Sequence, residues 1–201
     1  VLGLVNITVL AAGSIFTGSV HEPIKGTKNP QKMLQTGIPF TKKPVALQFD
    51  YKVKMSDREN RIRATGFSKI TDVPGKDYPA AILLLQKRWE DANGNVYAKR
   101  IGTMVTYYYH STDWKNNVTY EIMYGDITNR PEYKAHMMRL QATESYTVNS
   151  KGESVPIHEV AWGDENDVPT HMYIQFTSSH GGAYIGSPGN TLWVDNVKLV
   201  Y

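Results

Sequence analysis

Every odd position from 45 to 55 is apolar or aromatic: Val45, Leu47, Phe49, Tyr51, Val53 and Met55. Gln48, Asp50, Lys52 and Lys54 lie between them. Successive side chains of an extended chain point to opposite faces, so this pattern predicts a long strand with one wet and one buried face. The pattern returns at Val118, Tyr120, Ile122 and Tyr124, and again at Met172, Ile174 and Phe176. Residues 80–85 are a continuous apolar run, expected of a central strand covered on both faces. After Trp89 comes Asp91-Ala92-Asn93-Gly94-Asn95, and Asn-Gly supplies the positive φ angles of a tight hairpin. The chain from Val96 should therefore return antiparallel, with residues 101–109 as a further strand rich in β-formers.

Turn signals recur at Val73-Pro74-Gly75, Asn149-Ser150-Lys151-Gly152 and Ser187-Pro188-Gly189-Asn190. Helical signal is thin. Residues 133–141 leave a short helix open, with Pro131 and neighbouring β-formers against it. Many short strands between turns predict a β-sandwich or barrel. Without an internal repeat or linker, the economical reading is one domain over residues 1–201, long enough to bury a core without a disulfide or metal staple.

Composition removes several classes. Basic residues number 22 and acidic ones 19, scattered along the chain, and the densest basic stretch, residues 58–63, contains Glu59. Nucleic-acid binding asks for a concentrated basic stripe, so that class is set aside. Cysteine is absent, which removes disulfides, thiol catalysis and cysteine-ligated zinc. The apolar opening of ten residues, interrupted by Asn6 and Thr8, is too short to span a bilayer. The start at Val1 reads as a fragment or mature form of a longer exported protein.

The last stretch is the most distinctive. Phe176-Thr177-Ser178-Ser179-His180-Gly181-Gly182-Ala183-Tyr184-Ile185-Gly186-Ser187-Pro188-Gly189-Asn190 runs from a strand into a glycine-rich loop. Thr191-Leu192-Trp193-Val194-Asp195-Asn196-Val197-Lys198-Leu199-Val200-Tyr201 then forms a closing strand. No Gly-Lys-Ser/Thr follows the glycines, so the loop is not a phosphate cradle. This ending resembles that of the "putative carbohydrate metabolism domain" family of gut anaerobic bacteria, whose members close on a Gly-Ser-Thr-Leu-Tyr-Val-Asp-Asp-Val-like sequence. Trp193 and Asn196 depart from that pattern. Near the start, Ala12-Gly13-Ser14-Ile15-Phe16-Thr17-Gly18 and Gly37-Ile38-Pro39-Phe40-Thr41-Lys42-Lys43-Pro44 resemble the family as well.

The resemblance implies an all-β, antiparallel jelly-roll sandwich, similar to galactose-binding and carbohydrate-binding modules. It implies a secreted or surface location and a context of glycan handling, and it supplies no established catalytic residues. In an unbroken closing strand, Asp195 shares a face with Trp193, Val197, Leu199 and Tyr201. A buried carboxylate must be hydrogen-bonded, paired or metal-bound. In jelly rolls of this kind such an aspartate can hold a structural calcium, which makes Asp195 the candidate metal ligand; backbone hydrogen bonding or an exposed bulge is the favoured alternative.

Sandwiches bind sugars by laying exposed aromatic rings against pyranose C–H faces. Trp89, Tyr107, Tyr109 and Trp162 are the candidates for that role, each weighed against plain packing. Trp114 reads instead as a structural tryptophan at the start of a strand. The six histidines, His21 among them, form no zinc pattern. The segment from Asp164 to Pro169 reads as a solvated loop. Glycoside hydrolysis needs two facing carboxylates; Glu121, Glu159 and Asp164 are available, without the spacing of sandwich hydrolases.

Three functions follow. The first is a non-catalytic module binding a glycan or polysaccharide, working beside other surface glycan-utilisation proteins. The second is a hydrolase or lyase with a carboxylate pair, and the third a structural or adhesive module meeting protein partners.

Overall fold

The computed structural model describes residues 8–20, 29–66, 69–141 and 144–201. Residues 1–7 of the apolar opening, and His21, lie outside them. The strands are, in order, β1 (Ser14–Phe16), β2 (Gly18–Val20), β3 (Leu34–Thr36), β4 (Ile38–Pro39), β5 (Ala46–Lys54), β6 (Arg61–Arg63), β7 (Thr71–Val73) and β8 (Ala80–Glu90). There follow β9 (Val96–Tyr107), β10 (Thr112–Glu121), β11 (Met123–Tyr124), β12 (Tyr146–Val148), β13 (Ser154–Trp162), β14 (His171–Thr177), β15 (Ile185–Gly186) and β16 (Thr191–Val200). One 3-10 turn, Pro30–Met33, precedes β3. Residues 133–141, left open for a helix, form turns instead.

Two layers make the sandwich. The larger sheet runs β1-β14-β8-β9-β13-β12, with β4 added to β14 and β11 to β9. The smaller runs β10-β5-β16. Their facing sides bury Leu47, Phe49 and Val53 of β5 against Leu83 and Leu85 of β8, Met104 of β9, and Met172, Ile174 and Phe176 of β14. Burying one such side chain stabilises the fold by about 1.5–3 kcal/mol. The alternation from Leu47 to Met55 and in 172–176 thus marks the inner face, as expected, whereas Val45, just before the strand, is exposed. Ile82 and Leu84 point to the opposite side of β8 and pack with Val105 and Tyr173. That second cover explains why residues 80–85 are apolar without alternation.

The Asn-Gly hairpin joins β8 to β9, with Glu90 opposite Val96 and Gly94 at φ +90°. Gly75, Gly152 and Gly189 take positive φ at the three other expected turns. Among the described residues every strand pairing is antiparallel except that of β13 with β9, which is parallel. The antiparallel expectation holds everywhere else.

Candidate functional site

The small sheet turns one face to the core and the other outward. On β5, the even-numbered side chains Asp50, Lys52 and Lys54 take the outward side, because their odd neighbours are buried. Trp193 of β16 is the register partner of Lys52. On β10, Thr112 pairs with Val53 and Lys115 with Tyr51, so Asp113 and Trp114 together oppose Lys52 in a β-bulge. One register level therefore reads Trp114 and Asp113, then Lys52, then Trp193. Trp114 is 47% exposed and Trp193 40%. Two strand spacings separate β10 from β16, about 10 Å. The Lys52 ammonium lies 5.7 Å from the centre of the Trp193 ring. A groove of about 450 Å³ opens here, lined by Lys52, Lys54, Ser111, Thr112, Asp113 and Trp193.

Bulges shape this face. Asn117 and Asn196 both take left-handed backbone, φ 52°. The backbone N–H of Asn117 donates to Asp50 Oδ1 at 2.5 Å, and the Asn196 side-chain amide donates to Asp50 Oδ2 at 2.6 Å. These bonds, that of Asn117 foremost, hold the Asp50 carboxyl below the ordinary aspartate value.

Asp195 sits beside the second bulge. The register slips between Asp195 and Lys198, so Leu192 and Val194 face the core before the slip and Leu199 after it. Asp195 is exposed, and its Oδ1 accepts the backbone N–H of Asn196 at 2.7 Å. The expected shared face of an unbroken strand is thereby corrected. Among the described residues no three His, Asp or Glu side chains gather in a way that could hold a metal ion.

Tyr107 and Tyr109 come together at one end of the large sheet. Tyr107 stacks on His136 at 4.9 Å and tilts against His180 at 4.8 Å; Tyr78 meets Tyr109 edge-on at 4.6 Å. The Tyr109 hydroxyl bonds His136 Nδ1 at 3.2 Å. Burial, the leading cause, raises the Tyr107 hydroxyl pKa and lowers that of His136. Beneath them the buried carboxylate of Asp77 accepts the backbone N–H groups of His180, at 3.2 Å, and Ser187, at 2.9 Å. Burial pushes its pKa up, but the His180 side chain, Ser179 and the Ser187 backbone N–H together outweigh it and lower the value. Asp77 thus pins the glycine-rich loop at both ends.

Trp89 lies at the far end of the same sheet, opposite Tyr97, ten residues along β9 from Tyr107 and about 30 Å away. It stacks on Tyr97 at 5.9 Å. Trp162 covers the guanidinium of Arg100 at 5.7 Å. The four aromatic candidates therefore do not form one site; only Tyr107 and Tyr109 meet. Of the carboxylates, Glu159 is fully engaged. It forms a two-point ion pair with Arg100 and accepts Gln86 Nε2 at 2.5 Å and the Gln141 backbone N–H at 2.7 Å.

Residues 1–200 match the family described as "Putative carbohydrate metabolism domain". The chain belongs to this family. No curated protein matches the sequence. Two solved structures share the fold of this carbohydrate metabolism domain. One is a "putative glycoside hydrolase" from Bacteroides thetaiotaomicron, with TM-score 0.55 and 20% identity over 95% of this chain and 47% of that one. The other, of the same description, is from Bacteroides vulgatus, with TM-score 0.51 and 16% identity over 94% of this chain and 64% of that one. The domain thus spans about half of the first neighbour and under two thirds of the second.

Sequence reasoning did not single out Trp193 or Lys52, and favoured a structural role for Trp114 at the start of a strand. Trp114 does stand near the start of a strand, but in the domain's outer layer. The one signal for Trp193 was its departure from the family's usual tyrosine in the closing strand. The bulge that turns Trp114 outward has no mark in the alternation, because Asp113-Trp114-Lys115 fits either face.

Proposed function

We propose that this chain is a non-catalytic glycan-binding module of an exported bacterial protein, and that the outer face of the small sheet receives the glycan. The observation that carries this reading is the pair of half-exposed indoles, Trp114 and Trp193, across Lys52 at one level of an open sheet. Indole rings are broad apolar plates that stack on sugar C–H faces. Lys52, Ser111 and Asp113 supply the donors and acceptors that fix hydroxyl groups. Family membership adds a carbohydrate context.

Binding is favoured over hydrolysis by the state of Glu159, whose oxygens are taken by Arg100, Gln86 and Gln141. A general acid needs a free proton position toward the glycosidic oxygen. The names of the two neighbours leave hydrolysis as the competing reading.

A polysaccharide array followed by titration calorimetry tests the proposal. Wild type should bind at least one glycan, and Trp193→Ala and Trp114→Ala should each weaken it about tenfold while leaving the melting temperature nearly unchanged. Unchanged binding in both variants, or release of reducing sugar by the wild type, would overturn it.

A further inference from the structure

We propose that the groove beside Trp193 selects acidic glycans, those whose sugars carry a carboxylate or sulfate, through Lys52 and Lys54. The inference rests on the glycan-binding reading above and adds the substrate class. Lys52 and Lys54 are two residues apart on β5, so their side chains leave the same face with Cα atoms about 7 Å apart. Neither forms an ion pair among the described residues. Their register partners on β16 are Trp193 and Thr191, neither of which offsets the charge. Asp113 is the one carboxylate lining the groove, against two ammonium groups.

Edge protection does not account for these lysines. Charged residues guard strands whose backbone is unpaired. Yet β5 is the middle strand, bonded to β10 on one side and β16 on the other. Lysine is also depleted in strand interiors, and two of them side by side repel. An anionic group seated between them removes that repulsion and accepts charge-assisted hydrogen bonds. The exposed Trp193 ring stands beside the ammonium of Lys52, so a sugar ring and its acidic substituent would be held by adjacent side chains.

The test uses polymers that differ only in charge. Polygalacturonate is compared with its methyl ester, and dextran sulfate with dextran, by calorimetry on the full chain at two salt concentrations. The expected result is at least about tenfold tighter binding of a charged polymer than of its neutral partner, weakening as salt rises. The first pair reports a carboxylate, the second a sulfate. Lys52→Gln with Lys54→Gln should abolish the preference, and Trp193→Ala should weaken charged and neutral polymers alike. Equal binding of charged and neutral forms, or a lysine variant that keeps the preference, would overturn the acidic class and leave the glycan-binding reading standing. Failure to bind any polymer on a broad array would overturn both.

Discussion

Asp50 accepts the backbone N–H of Asn117 across the β5–β10 boundary at 2.5 Å, at the point where β10 leaves regular register. Its other oxygen reaches Asn196 on β16, so one central carboxylate braces kinks in both neighbouring strands. Removing it with Asp50→Ala should lower the melting temperature. The carboxyl titrates below its ordinary value of 3.8, so its contribution is complete above that pH and fades as pH falls through the lower folded value. Thermal melts of both proteins should differ at pH 7 and converge in strong acid.

Arg100 and Glu159 have no exposed side-chain surface. Removing one partner leaves a buried charge unpaired, at a cost of about 3–5 kcal/mol. Glu159→Ala and Arg100→Met should each show that loss in urea unfolding. The double replacement Arg100→Met with Glu159→Leu should recover only part of it, because Arg88 then loses the carboxylate that offsets its burial and Gln86 and Gln141 lose their acceptor.

His171 has its pKa pushed down to about 4, chiefly by burial and secondarily by Arg88. The folded protein keeps it neutral where the unfolded chain, with an ordinary value of 6.5, takes up a proton. Stability is therefore full above pH 6.5 and falls as pH drops toward 4, by about 1 kcal/mol after allowing for partial exposure. In His171→Gln, urea midpoints between pH 4 and 6.5 should vary less than in the wild type.

Gly94 closes the β8–β9 hairpin at φ +90°, and an added Cβ would lie 2.7 Å from Asn149 Nδ2. That amide now donates to the Gly94 carbonyl at 3.0 Å, tying this hairpin to the β12–β13 turn. Gly94→Ala should cost about 1–3 kcal/mol in urea unfolding, with the overall β content by circular dichroism retained.

What the sequence made legible was decided by period. Leu47, Phe49 and Val53 declare an inner face because nothing interrupts β5. Residues 80–85 declare a doubly covered strand, and Asn93-Gly94 a hairpin. Bulges defeat the same logic. One extra residue near Asn196 moves the buried set from Leu192 and Val194 to Leu199, so counting by twos places Asp195 on a buried face. Near Trp114 the register slip coincides with a half-exposed indole, where a structural role is the favoured reading of the sequence. Residue type and nearness to a turn mark Trp89 and Tyr107 as candidates, but neither reveals that they stand at opposite ends of the large sheet. Nor can spacing reveal that Glu159 meets Arg100 across 59 residues of chain.

The strand β1 has its partner in β14, with Ser14 opposite Thr177. During synthesis β1 therefore stays unmatched until residues 171–177 of β14 have been made. Closure of that edge must come late, after the β8–β9 hairpin has offered a template for β14. Truncations that stop short of β14 should expose β1 and β8 to foreign strands, and aggregation rather than a smaller folded core is their natural fate.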